Sequence, residues 1–116
     1  RKTVEKSKET GLNTILCAKT PGEVERYSGF KPDHISIEPP ELIGGETAVS
    51  TAKPEMIRKA VENTAEGVET LAGAGIKDAE DVEKSMELGC SGILVASGVV
   101  KSDDPEKSLR ELCQGL

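Results

Sequence analysis

One carboxylate in this chain is placed as a general base would be. Glu38 ends the apolar, β-branched run 35–37, and a double proline, an apolar pair and a glycine pair follow it in the stretch 39–45. A strand that delivers one acid to its C-terminal end, followed by a segment with stiff and flexible hinges, can hold a base beneath a lid. Leu42 and Ile43 could supply the apolar cover that such a base needs when the lid closes.

Two turns rich in small residues follow later strands of the chain. Gly73-Ala74-Gly75 comes after a predicted third strand, and Ala96-Ser97-Gly98 comes after a fourth. Small residues let backbone N–H groups approach an anion closely, and helix N-termini hold phosphate without any lysine. Each turn alone is also an ordinary strand-to-helix connection, and the dinucleotide pattern GxGxxG is absent. Two such turns on one rim of a sheet favour a phosphate site.

The elements that position these residues alternate between β-branched runs and amphipathic helical patterns. The predicted strands are 12–18, 33–38, 70–72 and 91–96, and the predicted helices are 1–10, 21–28, 53–64, 78–88 and 105–114. Thr20, Asp78 and Asp104 are the predicted N-caps of three helices, and Glu23 completes a capping box with Thr20. The alternation αβαβαβαβα, with strands buried on both faces, predicts an α/β fold with a parallel sheet and right-handed crossovers.

The connection that follows Glu38 is longer than the others. It carries an excess of about 14 residues, roughly 39–52, and a compact domain seldom keeps a long connection without a use for it. The predicted loop and the predicted base therefore lie together in the chain.

Composition excludes several classes of protein. The chain has 116 residues, a net charge of −6 and two aromatic residues, so it lacks both the cationic surface and the stacking platform of a nucleic-acid binder. No apolar run approaches the roughly 20 residues that span a bilayer, and residues 1–6 form no signal-peptide core. Three widely spaced cysteines, Cys17, Cys90 and Cys113, predict buried, reduced thiols in a cytoplasmic protein, with no disulfide and no metal site.

The single histidine is a candidate for a catalytic acid or electrophile. His34 lies four residues before Glu38 on the predicted second strand. At about 3.3 Å per residue the two side chains share a face but are roughly 13 Å apart. We therefore expect a structural role for His34 at the N-terminal end of the sheet, and we expect the loop acids Glu41 and Glu46 to be solvated.

Three motifs in a fixed order carry a resemblance to a known family. They are Ile37-Glu38-Pro39-Pro40-Glu41-Leu42-Ile43-Gly44, Gly73-Ala74-Gly75-Ile76 and Leu94-Val95-Ala96-Ser97-Gly98-Val99. Together they make the chain resemble the C-terminal half of an archaeal triosephosphate isomerase, over nearly all of its length. The resemblance implies an α/β (βα)8 TIM barrel of which this chain supplies about half, strands five to eight, as part of one domain over residues 1–116.

The resemblance also implies roles for individual residues. Glu38 is similar to the catalytic base that moves a proton between adjacent carbons of dihydroxyacetone phosphate and glyceraldehyde 3-phosphate. Ile43 matches a lid position whose backbone meets the phosphate, Gly75 matches a phosphate contact after the seventh strand, and Ala96 and Ser97 match the amide pair after the eighth. The family implies a cytoplasmic homo-oligomer, dimer or tetramer, that acts in glycolysis and gluconeogenesis without a cofactor.

The chain departs from the family pattern in two respects. The lid reads Gly44-Gly45-Glu46 where Gly-Thr-Gly is frequent, and a glutamate has less backbone freedom than glycine. The family's asparagine and lysine after the first strand and its electrophilic histidine at the fourth strand are missing, and His34 is too distant to substitute. Because four strands make half a barrel and Arg1 lies inside a predicted helix, we expect a fragment of a longer enzyme.

Three functions stay open at this point. The first is the C-terminal half of a triosephosphate isomerase, active only with its N-terminal half. The second is a stand-alone half-barrel that binds phosphate or self-assembles without catalysis, since an open half exposes two sheet edges. The third is another phosphate-binding (βα)8 enzyme with a different phosphorylated substrate, against which the Glu-Pro-Pro lid argues.

Overall fold

A parallel sheet with helices on one face forms the body of the molecule, in a computed structural model that describes residues 1–116. The strands are β1 (Ile15–Ala18), β2 (His34–Ile37), β3 (Glu69–Ala72) and β4 (Gly92–Ile93). The helices are α1 (Lys2–Glu9), α2 (Pro21–Ser28), α3 (Val49–Ala52), α4 (Pro54–Asn63), α5 (Ala79–Glu87), α6 (Ser97–Val100) and α7 (Pro105–Leu112), with 3₁₀ turns at Pro40–Leu42 and Cys113–Gly115. None of the helices has the length and apolar character that crossing a bilayer requires.

The strands pair in chain order, β1-β2-β3-β4, and every pair is parallel. Ile37 is in register with Ala18 on one side and with Ala72 on the other, and Ala72 is in register with Ile93. All four strands therefore end at one level, which we call the C-terminal rim. The parallel α/β fold predicted from the alternation of elements is confirmed.

The hydrophobic core fills the space between one face of the sheet and the helices. Its fully buried members include Ile35, Ile37 and Ala72 from the strands and Val24, Ile57 and Val82 from the helices. Because side chains alternate along a strand, the residues between these point to the opposite face. That inner face is uncovered at the β1 edge, where Ile15 is 46% exposed and Cys17 is exposed.

Three helices begin with the predicted caps. The side chains of Thr20, Asp78 and Asp104 each accept a backbone N–H three residues further on, at 3.2, 3.0 and 3.0 Å. These bonds satisfy N–H groups that have no acceptor inside the helix. The predicted capping box is wrong in one detail, because the Glu23 carboxylate accepts from the N–H of Lys19 at 2.8 Å and not from that of Thr20.

Three strands are shorter than predicted: β2 by one residue at each end, and β1 and β4 by more. β1 begins at Ile15, which pairs with the first residue of β2, and not at Leu12. Just before it, Thr14 instead binds the carboxylate of Asp33 through both its N–H and its hydroxyl, each at 2.7 Å. The last strand was predicted over 91–96. Because β3 ends at Ala72, which pairs with Ile93, the residues beyond Leu94 have no strand to pair with.

Part of the connection that was predicted as excess loop belongs to the core. Ala48 and Val49 are 2% and 0% exposed, and α3 follows directly. The N–H of Val49 donates to the carbonyl of Ala74 at 2.9 Å, which ties this end of the connection to the turn after β3. Only residues 39–47, here called the lid segment, remain as a loop over the C-terminal rim.

The cysteines are free, but only one of them is buried. Cys90 lies in the core, and burial raises the pKa of its thiol to about 12. The prediction of buried thiols is wrong for Cys17, which faces the uncovered side of the sheet, and for Cys113, which follows the last helix at the surface.

Candidate active site

A cleft of about 710 Å³ opens at the C-terminal rim, and we call it the rim cleft. Its lining comes from the end of β2, the lid segment, the turn after β3 and the turn after β4. All five predicted site residues line it, namely Glu38, Ile43, Gly75, Ala96 and Ser97. The volume is in the range that holds a small metabolite. The structure thus brings the predicted residues together, and their roles remain predictions.

The backbone ladder of the sheet, and not a loop, fixes the position of Glu38. Glu38 lies one residue beyond β2, and its N–H donates to the carbonyl of Ala18 at 2.7 Å. Gly73 lies one residue beyond β3, and its N–H donates to the carbonyl of Ile37 at 3.2 Å. Because both bonds continue the parallel register, residues 38 and 73 stand side by side on the inner face.

Gly73 is needed to make room for the Glu38 side chain. A Cβ atom at position 73 would lie 2.5 Å from both Cγ and Oε1 of Glu38 and would also collide with Oγ of Ser36. That hydroxyl oxygen is buried without a hydrogen-bond partner. The sequence marked Gly73 only as part of a small turn near an anion, whereas the structure gives it a steric role toward the candidate base.

Cys17 is a neighbour of Glu38 that the sequence reasoning missed. Desolvation of its sulfur, then a hydrogen bond to Glu38 and the charge of that carboxylate, raise the pKa of the Cys17 thiol to about 11. A thiol that stays protonated at neutral pH can donate to the carboxylate and orient it. The alternation of side chains places both residues on one face, but their closeness depends on the strand register, which the sequence does not reveal.

Two ion pairs tie the lid segment to the body of the protein. Glu41 binds Lys53 just before α4, and Glu46 binds Lys77 after β3 with 2.5 Å between Oε2 and Nζ. Each lysine lowers the pKa of the carboxyl group that it contacts. Both acids are exposed, as predicted, but the prediction missed that each has a cationic partner.

Gly75 is constrained by packing as well as by its place in the rim cleft. Its φ of +72° lies in the left-handed region, which favours glycine. A Cβ atom there would overlap the carbonyl group of Thr47 and lie 2.9 Å from the Cα atom of Ala48. The turn after β3 therefore supports the C-terminal end of the lid segment.

The apolar cover of the rim cleft comes from Ile43 and not from Leu42. Ile43 is 57% exposed and lines the cleft beside the flexible Gly44. Leu42 is partly buried and packs against the hydrophobic core. In this structure Leu42 does not line the cleft and holds the start of the lid segment on the body, and the cover that both residues would give on closure stays a prediction.

The fourth part of the lining is the start of α6. Ala96 is the N-cap residue and Ser97 the first residue of this short helix, and both are exposed. The N–H groups at a helix start have no acceptor within the helix, so they are available to an anion. Lys77 and Lys101 add positive charge to the same cleft. Sequence reasoning missed both lysines, although each lies within a few residues of a predicted small-residue turn.

The polar residues at the other end of the sheet do not line the rim cleft. His34 Nε2 lies 2.9 Å from Oε2 of Glu69 on the neighbouring strand. Asp33 lies beside it in the chain, and its pKa is lowered mainly by the hydrogen bonds from Thr14. These contacts join strands at their N-terminal ends. No group of three His, Cys, Asp or Glu side chains is placed to hold a metal ion.

Comparison with known proteins identifies the family. A family model described as "Triosephosphate isomerase" matches residues 1–115. The triosephosphate isomerase of Thermoplasma volcanium is 53% identical over 111 residues, which are 95% of this chain and 52% of that protein. The triosephosphate isomerase of Saccharolobus solfataricus is 47% identical over 110 residues, 93% of this chain and 48% of that protein. The chain belongs to the triosephosphate isomerase family.

The chain spans about half the length of the curated relatives it matches. Solved structures at low identity share its fold. An archaeal fructose 1,6-bisphosphate aldolase has a TM-score of 0.73 at 17% identity and is matched over 97% of this chain and 48% of its own. A thiamine phosphate pyrophosphorylase from Pyrococcus furiosus has a TM-score of 0.72 at 21% identity and is matched over 96% and 52%. The predicted fold, about half of a (βα)8 barrel, is confirmed.

Replacing Gly73 by alanine should displace the Glu38 side chain. The added methyl group would occupy space now held by Glu38, and such overpacking costs about 1–3 kcal/mol of folding free energy. Chemical denaturation measures the loss of stability, and the NMR signal of the Glu38 carboxyl carbon reports its displacement. Gly22→Ala is the matched control, since nothing lies within 4 Å of that added methyl group. An unmoved Glu38 signal in Gly73→Ala would contradict the steric role.

Cys17 should alkylate slowly until the pH approaches about 11. The thiolate is the reactive form, so the pH dependence of the site-resolved alkylation rate, followed by mass spectrometry, gives the pKa. Glu38→Gln should move the midpoint down toward the ordinary value of 9.0, though not all the way, because desolvation remains. Folded protein holds this proton more tightly than unfolded protein, so stability falls as pH rises from about 9 to 11. A midpoint near 9.0 in the unaltered protein would count against the Cys17–Glu38 contact.

Proposed function

We propose that this chain is the C-terminal half of a triosephosphate isomerase barrel and supplies its catalytic base and phosphate-binding rim. The family of the chain supports the activity, and its span of about half of each relative supports a half-barrel over residues 1–116. The observation that carries the proposal is the single cleft shared by Glu38, the lid segment and both small-residue turns. The same family supports interconversion of dihydroxyacetone phosphate and glyceraldehyde 3-phosphate in glycolysis and gluconeogenesis, by a cytoplasmic homo-oligomer.

In the proposed reaction the Glu38 carboxylate removes a proton from one carbon of the triose and returns it to the adjacent carbon. A base must be held within hydrogen-bonding reach of the proton that it takes. The ladder bond to Ala18 and the space left by Gly73 support such a fixed position. Closure of the lid segment would exclude water from the proton in transit.

The substrate oxygens require a second group that this cleft does not offer. Besides Glu38, the ionisable side chains that line the cleft are Glu46, Lys77 and Lys101. Glu46 and Lys77 are bonded to each other, Lys101 directly follows α6 at the turn proposed to bind the phosphate, and His34 lies at the far end of the sheet. We therefore assign the electrophile that polarises the carbonyl group to the other half of the barrel, so that catalysis needs both halves.

The phosphate of the substrate would lie between the lid segment and the two small-residue turns. Gly75, Ala96 and Ser97 would offer backbone N–H groups from the rim, and Ile43 would meet the phosphate from the lid segment on closure. Backbone N–H groups suit a dianion because they add no titratable charge. The chain carries a net charge of −6, so Lys101 would also offset repulsion of the substrate at the cleft, while Lys77 is paired with Glu46.

A second proposal is a stand-alone half-barrel that binds phosphate or pairs with another copy without catalysis. The uncovered inner face favours it, because Leu12 is 62% exposed and Ile15 is 46% exposed at the β1 edge. Open parallel edges at β1 and β4 would also accept a further strand. The two proposals share the rim cleft and differ in what covers the inner face.

In the barrel completed by the other half, Glu38→Gln should reduce the turnover of glyceraldehyde 3-phosphate by orders of magnitude, since the amide cannot accept the substrate proton. The affinity for a phosphate-bearing inhibitor should stay within a few-fold, because the rim is unchanged; calorimetry measures it. Glu41→Gln is the matched control, as it removes a nearby lid carboxylate that does not line the cleft. Turnover near that of the unaltered protein in Glu38→Gln would remove Glu38 as the base.

The purified 116-residue chain should show no isomerase turnover by itself and should gain it when the other half of the barrel is supplied. Light scattering of the same sample should give a mass above the 12.3 kDa of one chain, because exposed apolar residues on the inner face favour association. Turnover by the chain alone would contradict the need for a second half. A phosphate-binding assembly that stays inactive with the other half would support the stand-alone half-barrel.

A further inference from the structure

We propose that Lys77 is a positioning residue, which latches the lid segment over the rim cleft by binding Glu46 and which neutralises the lid carboxylate that lines the cleft. Both residues line the rim cleft, and they lie 31 residues apart in the sequence. The latch itself is a property of the ligand-free protein. Its consequence for substrate binding rests on the function proposed above.

Of the two residues in this ion pair, only Lys77 is held in place by a further hydrogen bond. The N–H of Lys77 donates to Oδ2 of Asp81 at the start of α5, at 3.1 Å, so the backbone of this lysine is anchored. From there Nζ reaches Oε2 of Glu46 at 2.5 Å. The side chain of Glu46 is 94% exposed, so the ion pair is what holds it near the body.

The Glu46–Lys77 ion pair lies between the part of the lid segment that packs on the body of the protein and the part that does not. On its C-terminal side, Thr47 and Ala48 pack against Gly75 so closely that a methyl group would not fit between them. On its N-terminal side, Ile43 is 57% exposed and Gly44 has the flexible left-handed conformation, with a φ of +68°. After Ile43 and Gly44, Glu46 is therefore the first residue whose side chain contacts the turn after β3.

The charge of Glu46 explains why a lysine is useful at position 77. An unpaired carboxylate at the cleft would repel a phosphate over several ångströms, since screening by salt is incomplete within about 8 Å. Lys77 cancels this charge and leaves the other cleft lysine, Lys101, to attract the anion. The second ion pair of the lid segment, between Glu41 and Lys53, cannot do this because neither residue lines the cleft.

Hydrogen exchange of the ligand-free protein tests the latch. Lys77→Met and Glu46→Gln should each speed exchange of the amides in the lid segment by about two- to five-fold, as expected for loss of an exposed ion pair. The double variant should exchange no faster than either single variant, because both changes remove the same contact. High salt should speed exchange in the unaltered protein but not in the double variant.

Glu106→Gln is the matched control for this measurement. It removes an exposed ion pair with Arg110 on α7, 2.8 Å long, that does not touch the lid segment. Exchange of the lid amides in this variant should stay at the rate of the unaltered protein. Single variants that exchange at the control rate, or effects that add in the double variant, would overturn the latch.

Steady-state kinetics with glyceraldehyde 3-phosphate tests the charge compensation. Lys77→Met leaves Glu46 unpaired, so KM should rise about two- to five-fold with kcat nearly unchanged, and adding Glu46→Gln should restore KM. A restored KM would show that the unpaired charge of Glu46 caused the rise. A general loss of structure would not be repaired by a second substitution. An unchanged KM in Lys77→Met, or a raised KM that Glu46→Gln does not restore, would overturn the compensation. These kinetics use the chain assembled with the other half of the barrel. If that assembled barrel turns over no triose phosphate, the proposed function fails, and hydrogen exchange of the chain alone still decides for or against the latch.

Discussion

Glu38 can occupy its position only because residue 73 has no side chain. The parallel ladder continues one residue past β2 and β3, through the N–H groups of Glu38 and Gly73 themselves, and so brings the two residues to one level of the C-terminal rim. At that spacing any Cβ atom on residue 73 would collide with the side chain of Glu38. The position of Glu38 thus depends on the register of the strands and on the absence of a side chain at residue 73. The lid segment and both small-residue turns surround this position.

The lid segment is less independent of the body than its length indicates. Leu42 at its start packs on the core, and Thr47 at its end packs on Gly75. The part with least support is the stretch around Gly44, where an added Cβ atom would meet nothing within 4 Å. Two lysines from the body then hold the two lid glutamates at the surface. Exposed ion pairs are each weak, so such contacts can bias a loop between open and closed positions without locking it.

The two faces of the sheet have different roles. One face packs on the helices and includes Ile35 and Ile37, which are fully buried. The other face carries the candidate base Glu38 at its C-terminal end and polar contacts between strands, such as His34–Glu69, at its N-terminal end. Near β1 this inner face is uncovered, and the chain spans about half the length of the relatives that it matches.

Sequence analysis alone predicted the four strands and the five longer helices in order, the parallel α/β fold, three helix N-caps and five of the residues that line the rim cleft, but not the short helices α3 and α6. These follow from local chemistry, such as the N-cap oxygen of Asp78, and from motifs such as the acid and double proline at 38–40. The tertiary structure was needed to show that the charge of Glu38 acts on Cys17, that Gly73 makes room for Glu38, that Leu42 packs on the core and that Glu46 binds Lys77. Each of these joins residues that are distant in the chain or depends on a register of strands, and neither composition nor periodicity carries that information.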